Sequence, residues 1–230
     1  MNNELHTGPL GEASQYAEGY SPERLFPMAR AEGRLAVGLM ATPDCYGQDI
    51  WTGFEFSWLQ EKGKPEVAVL RLTVPAFCSH IVESKSMKLY LNGFAQTRFD
   101  SISAVRERLT DDLGSAFGGA VGVELLALAD SSLGVGELQG ECLDELDVEI
   151  ADYERNPDLL ALTARDGTDD GPVTQALTTH LFRSLCPVTA QPDWASVLVS
   201  YTGAPIDRAG LLKYLAVSYT HLTLPTRLSV

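Results

Sequence analysis

Glu83-Ser84-Lys85-Ser86-Met87-Lys88-Leu89-Tyr90-Leu91-Asn92 follows an apolar strand pattern and opens a helical one. Lys85 to Phe94 reads as a short helix, with Ser84 placed as its N-cap. Upstream, Ile50, Trp51, Phe54, Phe56 and Trp58 make an aromatic-rich strand. The turn segment Glu61-Lys62-Gly63-Lys64-Pro65 comes next, then an apolar run from Val67 to Phe77 that Arg71 and Thr73 interrupt. This is the pattern of a β-hairpin closed by a Gly/Pro turn. Downstream, a second helix starts at Ser101 or Ser103 and runs to about Phe117, with Val105, Leu109 and Leu113 on one face. Gly118-Gly119 ends it, Val121 to Ala129 reads as a buried strand, and a strand from Val135 to Cys142 completes a ββααββ unit. Residues 1–46 read as an irregular polar lead.

A second unit begins near Leu146, so the expected division is 1–145, 146–215 and a tail, 216–230. Asp147 to Tyr153 reads as a strand, and Arg165 to Gly171 as an acidic, Gly-rich loop. Val173–Leu185 and Trp194–Tyr201 flank the block Ser184-Leu185-Cys186-Pro187-Val188-Thr189-Ala190-Gln191-Pro192-Asp193-Trp194. A long hairpin is preferred there because the β-branched run Val197-Leu198-Val199 is short and bracketed by serines. On periodicity alone Leu177–Leu185 fits a helix equally well. Asp207 to Leu215 opens a helix with an acid near its positive end. The fold class is α+β, and two units in tandem are what the pattern suggests.

Length and composition bound the function. The 230 residues suffice for one large domain or two small ones, and 45% apolar with 21% charged residues describes a soluble globular protein. A net charge of −14 argues against a general nucleic-acid surface, which needs a basic footprint to release counterions. No secretory signal opens the chain, and no run approaches the roughly 20 apolar residues that span a bilayer. A cytoplasmic location follows, with neither membrane nor nucleic acid as a partner. Cys45, Cys78, Cys142 and Cys186 are widely scattered. None has a C-x-x-C spacing, so no metal site and, in a reducing cytosol, no disulfide is expected.

Chemistry concentrates in the two blocks. Glu83, between strand and helix, offers a carboxylate that can accept two parallel N–H bonds from the guanine-like edge of a purine or deazapurine. Ser84 and Lys85 lie where the free amides of a helix start point outward, a natural place for an anionic group, and Lys88 adds charge one turn on. Taken alone, the block also reads as a capped amphipathic helix with solvated lysines. Cys186 offers the strongest neutral-pH nucleophile among side chains, but no His follows it closely, and His180 lies upstream on the same expected strand. Asp193 would raise rather than lower the thiol pKa. The Cys186/Asp193 pair therefore suits nucleophilic addition coupled to proton delivery better than peptide hydrolysis. Without more, Cys186 also fits a strand-end core residue and Asp193 a turn residue after Pro192.

Together the blocks closely resemble the NADPH-dependent 7-cyano-7-deazaguanine reductases, which reduce a nitrile to an amine in queuosine biosynthesis. The family pattern Cys-Pro-x-Thr-x-Gln-Pro-Asp-(Phe/Trp) is matched from Cys186 to Trp194, and the Glu-Ser-Lys-Ser-x-Lys-Leu-Tyr signature from Glu83 to Tyr90. The resemblance implies that Cys186 forms the thioimide and Asp193 donates the proton. It implies that Val82, Glu83 and Ser84 contact the substrate base, and that Ser84 and Lys85 contact NADPH. It implies two tandem tunnelling-fold modules, similar in fold to GTP cyclohydrolase I without its zinc-and-His site, and a homodimer acting on the free deazaguanine base. Asn92-Gly93-Phe94 departs mildly, since Ser is expected at position 93. The similarity covers roughly Asp49 to Leu215. After Leu215 the family's His- and Glu-bearing segment and Arg-Gly-Gly stretch are not found. The string Ala216 to Val230 instead looks like translated adapter or vector read-through, so the second module is expected to be incomplete and the chain inactive through truncation.

Two other readings stand beside this one. A tunnelling-fold hydrolase acting on a pterin or purine would need metal ligands. A ligand-binding or assembly fragment would need no nucleophile, and would show no covalent adduct at Cys186.

Overall fold

The computed structural model describes residues 19–36, 38–40, 46–130, 133–134, 136–151, 153, 156–163, 171–185 and 191–217. The fold is α+β, and the chain divides into two compact units between Leu133 and Gly134.

In the first unit, β1 (Pro27–Ala29) leads into α1 (Arg30–Ala36), and a long hairpin follows, β2 (Gln48–Gln60) and β3 (Pro65–Pro75). The hairpin is the one expected from the aromatic pattern, and Gly63 takes a positive φ of 87° at its turn, where glycine carries no Cβ penalty. A bulge between Gly53 and Phe56 resets the alternation of β2. Before it an odd residue, Trp51, faces the core; after it even residues, Phe56 and Trp58, do. Next come β4 (His80–Val82), α2 (Ser84–Asn92), β5 (Arg98–Phe99), α3 (Ile102–Phe117) and β6 (Gly122–Leu126). The main sheet runs β5-β2-β3-β6, and β1 pairs with β4 in a two-stranded ribbon.

Helix α3 is the one its periodicity predicts. Val105, Leu109 and Leu113 are buried, Ser101 caps it by accepting from the Ala104 amide at 3.1 Å, and Gly118 ends it in the left-handed region. The positive φ of Gly118 is what calls for glycine there, and a Cβ would in addition push aside the Ser79 hydroxyl. Phe94, Phe99, Tyr20 and Tyr90 interleave as offset and edge-on rings. Asp112 of α3 accepts from both Tyr20 (2.6 Å) and Tyr90 (2.7 Å), tying α2 and α3 together. Burial, then the Asp112 hydrogen bond and charge, push the Tyr20 phenol up to about 12 and raise that of Tyr90 further.

The polar lead is more structured than its composition suggests. Residues 27–36 form β1 and α1, because Pro27, Met28 and Ala29 pair with Val82, Ile81 and His80. Arg30 is buried, and its guanidinium pairs with Asp49 and donates to the His80 carbonyl. No local period announces a three-residue strand held by a distant partner.

The second unit contains β7 (Glu141–Cys142), β8 (Val173–Leu185), β9 (Pro192–Gly203) and α4 (Arg208–Val217). The hairpin reading of the Cys186 block prevails over the helical one, since β8 and β9 pair antiparallel from Val173↔Gly203 to Leu185↔Pro192. Asp207 caps α4, as its position suggested, accepting from the amides of Ala209 (3.3 Å) and Gly210 (3.2 Å). Leu143, Leu177, Leu211, Leu212 and Leu215 form a small separate core. Two expectations fail here. The strand expected over Val135–Cys142 is confined to Glu141–Cys142, and it pairs parallel with β8 rather than completing the first sheet. Gly134, Gly136 and Gly140 thin out the preceding segment. The strand expected over Asp147–Tyr153 does not form among the described residues, where exposed Asp147 and Glu149 find no ladder to join. Among the described residues no helix is long and apolar enough to cross a membrane.

Candidate active site

The Glu83 block sits where β4 hands over to α2. Val82, buried, ends β4 opposite Pro27, and the Glu83 amide donates to the Phe26 carbonyl at 3.0 Å. Glu83 has extended backbone (φ −63°, ψ 134°) and is itself the N-cap. Its Oε1 accepts from the Lys85 amide at 2.8 Å and its Oε2 from the Ser86 amide at 2.7 Å. Ser86 Oγ donates back to the Glu83 carbonyl at 2.7 Å and accepts from the Phe26 amide at 3.0 Å. Ser84, expected as the cap, is instead the first residue of the helix. A carboxylate one carbon longer than Asp reaches both amides, which a serine hydroxyl cannot do at once.

This arrangement changes what the helix start can offer. Of the Ser84 and Lys85 amides expected to be open to an anion, that of Lys85 is taken by Glu83, which also takes the Ser86 amide and is only 1% exposed. Cationic capacity rests with the side chains: Lys85 is half-buried and Lys88, three residues on, is exposed. Between α2 and the β2–β3 hairpin lies an apolar groove, walled by Trp51, Leu70 and Leu72 and rimmed by Ser84, Met87 and Lys88. The buried Trp51 Nε1 has no hydrogen-bond partner among the described residues.

The second block lies in the other unit. Cys186 falls outside the described residues. Asp193 is exposed on β9, in register with Ser184 of β8, and Leu185 pairs with Pro192. Leu185, the residue before Cys186, is the last of β8, so the described register reaches that far and no farther. Near this end of the hairpin, Arg183 stacks its guanidinium over the rings of Trp194 (6.0 Å) and Tyr153 (5.9 Å).

Farther along the hairpin is a group the sequence did not bring forward. The β8–β9 register shifts between Thr179 and Phe182, leaving His180 and Leu181 opposite Ser196 alone. The His180 amide, released from the ladder, donates to the Asp144 carboxylate at 3.1 Å. Thr179 Oγ1 donates to the same carboxylate at 2.6 Å, and His180 Nδ1 lies 2.6 Å from Ser196 Oγ. Ligand atoms of Cys142, Asp144 and His180 all lie within 4.8 Å of one another. Burial works against the charge on Asp144, but the bonds from Thr179, His180 and Cys142 prevail and hold its carboxyl below the usual range. The local signal is the Cys142-x-Asp144 spacing, but its histidine partner is remote in sequence.

Comparison with known proteins adds to this geometry. A family model described as "Nitrile reductase, 7-cyano-7-deazaguanine-reductase N-term" matches residues 16–125. Proteins named NADPH-dependent 7-cyano-7-deazaguanine reductase from Burkholderia orbicola, Burkholderia vietnamiensis and Burkholderia thailandensis are each 46% identical over 214 residues. Those alignments cover 93% of this chain and 77% of each relative.

Proposed function

The chain belongs to the NADPH-dependent 7-cyano-7-deazaguanine reductase family, and from that premise we propose that it reduces the nitrile of 7-cyano-7-deazaguanine to the aminomethyl group through a Cys186 thioimide, in queuosine biosynthesis. The observation that supports the assignment of residues is the hairpin register, which pairs Ser184 with Asp193 and Leu185, the residue before Cys186, with Pro192. The Cys186 thiolate adds to the nitrile carbon, and Asp193 supplies the proton to the nitrogen, giving a neutral thioimidate. NADPH, when bound, supplies two hydrides, one at each reduction stage. After the first, the thiolate leaves as the C–S bond breaks and an imine remains; after the second, a proton on nitrogen completes the amine. One nitrile thus consumes two NADPH and two protons.

Val82, Glu83 and Ser84 hold the base. Each Glu83 oxygen accepts one helix amide, and a carboxylate has about four lone-pair directions, so one per oxygen remains for the N–H edge of a deazaguanine. For NADPH, Ser84 and Lys85 contribute a hydroxyl and an ammonium, with Lys88 nearby. The fit rests on these side chains, because Glu83 takes the Lys85 and Ser86 amides. The two units then correspond to tandem tunnelling-fold modules. The net charge of −14 suits a cytoplasmic enzyme acting on a free base rather than on tRNA. The assembly is a homodimer; in the β7-β8-β9 sheet, edge strand β9 exposes Trp194 and Leu198.

The test is intact-mass spectrometry of the chain incubated with 7-cyano-7-deazaguanine and no NADPH. A gain of one base per chain is expected, lost in Cys186→Ala. An undiminished adduct in Cys186→Ala would remove Cys186 as the nucleophile. Nitrile-dependent NADPH oxidation, followed by absorbance, then reports turnover.

A further inference from the structure

We infer that Cys142, Asp144 and His180 form a binding site for a borderline-soft divalent transition metal, of which Zn²⁺ is the best fit. The three residues come from β7, the turn after it and the bulge of β8, and their ligand atoms lie within 4.8 Å of one another. In a tetrahedral zinc site, bond lengths of about 2.0–2.3 Å set ligand atoms roughly 3.3–3.6 Å apart. Zinc binding therefore requires the three side chains to draw together by the remaining ångström or so. A thiolate, an imidazole and a carboxylate together select zinc-like ions over Mg²⁺ or Ca²⁺, which prefer all-oxygen shells.

The surroundings are those of a built site rather than a chance encounter. The bulge frees the His180 amide, and Asp144 takes it, so the carboxylate is anchored by the same strand that presents the imidazole. Thr179 Oγ1 fixes Asp144 a second time. Ser196 Oγ fixes the imidazole through Nδ1, the kind of outer hydrogen bond that orients ligating histidines. Cys142 is a free, exposed thiol and His180 is exposed, so an ion can enter and a fourth position stays open to water. On binding, the thiol gives its proton to solvent and the Cys142 sulfur bonds the ion. The ion would clamp β7 to the β8–β9 hairpin within the second unit.

The experiment uses the full chain, stripped of metal, and titrates it with ZnCl₂ against a chelating dye. One equivalent should bind, raise the melting temperature of the chain, and give way to Co²⁺ with a thiolate-to-metal charge-transfer band. Cys142→Ser and His180→Gln should keep the metal-free melting temperature and lose the zinc-dependent rise, with affinity down by a hundredfold or more. Ser196→Ala should lose roughly tenfold to a hundredfold. Cys186→Ala should bind as the parent does. Unchanged affinity in both Cys142→Ser and His180→Gln, a cobalt adduct without the thiolate band, or loss of binding in Cys186→Ala would each overturn the site.

Discussion

Two long hairpins, one in each unit, are built to the same plan and used differently. Both β2–β3 and β8–β9 are antiparallel and both carry one bulge. In the first, the bulge turns Phe56 and Trp58 inward, and Trp58 is 2% exposed within the core of the first unit. In the second, the bulge lies against polar groups, and β9 leaves Trp194 56% and Leu198 43% exposed. The lesson is that a bulge serves whatever lies over it. Under a thick core it repairs the alternation of apolar residues; on a thinly covered sheet it releases a backbone amide and aims a histidine.

The largest effect should come from breaking the thick core. Phe117 is fully buried at the end of α3, edge-on to Trp51 with ring centroids 6.3 Å apart. Phe117→Ala should cost about 3–5 kcal/mol, because the cavity adds to the lost transfer energy. Leu198→Ala on β9 should stay within about 0.5 kcal/mol, as for other exposed positions. Urea denaturation followed by tryptophan fluorescence compares the two. Equal losses would mean that the hairpins are covered alike.

The difference between the hairpins was only half legible in the sequence. The β2–β3 strands, helix α3 and its serine cap could be read because their signals are local: aromatic alternation, apolar residues at spacing four, and a Gly-Gly stop. Asp207 before α4 was legible for the same reason. The Cys186 and Asp193 blocks could be found by pattern, and the hairpin by its β-branched run. What could not be read depends on distant partners. β1 exists because Ile81 and its neighbours pair with it, and β7 joins the second sheet because β8 is there. Glu83 displaced Ser84 as the cap because its carboxylate folds back onto two amides, a choice between neighbours that propensity ranks the other way. The cluster of Cys142, Asp144 and His180 was missed because each was weighed on its own strand.

A smaller loss should follow from Asp112→Asn, which weakens what Asp112 offers two phenols on α2's side of the core. Tyr90 is fully buried, so the change should cost about 1–3 kcal/mol. The same carboxylate makes a pH signature. Tyr20 titrates at about 12 in the fold against an ordinary value near 10, so the folded state holds this proton more tightly than the unfolded one. Its contribution to stability is present below pH about 10 and is lost as the pH rises from there towards about 12. Melting temperature against pH should show this alkaline decline, and Asp112→Asn should shrink it. A decline unaltered in the variant would show that burial alone raises the Tyr20 phenol.

The smallest expected effect concerns the two carboxylates that cap helices, one in each unit. Glu83 reaches the Lys85 and Ser86 amides at 2.8 and 2.7 Å and is nearly inaccessible. Asp207 reaches the Ala209 and Gly210 amides at 3.3 and 3.2 Å and is half-buried. In Glu83→Gln the amide oxygen can serve one N–H, but the NH₂ group cannot accept, so one buried amide loses its acceptor together with the negative charge at the helix start. That should cost about 1–2 kcal/mol. In Asp207→Asn the contacts given up are longer and water can reach them, and Asn is itself a favoured cap, so the loss should be no more than a few tenths of a kcal/mol. Chemical denaturation of the two variants side by side decides the matter. A Glu83→Gln protein as stable as its parent would mean that the carboxylate is not held by the helix and is free to meet a ligand with both oxygens. A clear loss would mean that any base bound there shares Glu83 with the start of α2.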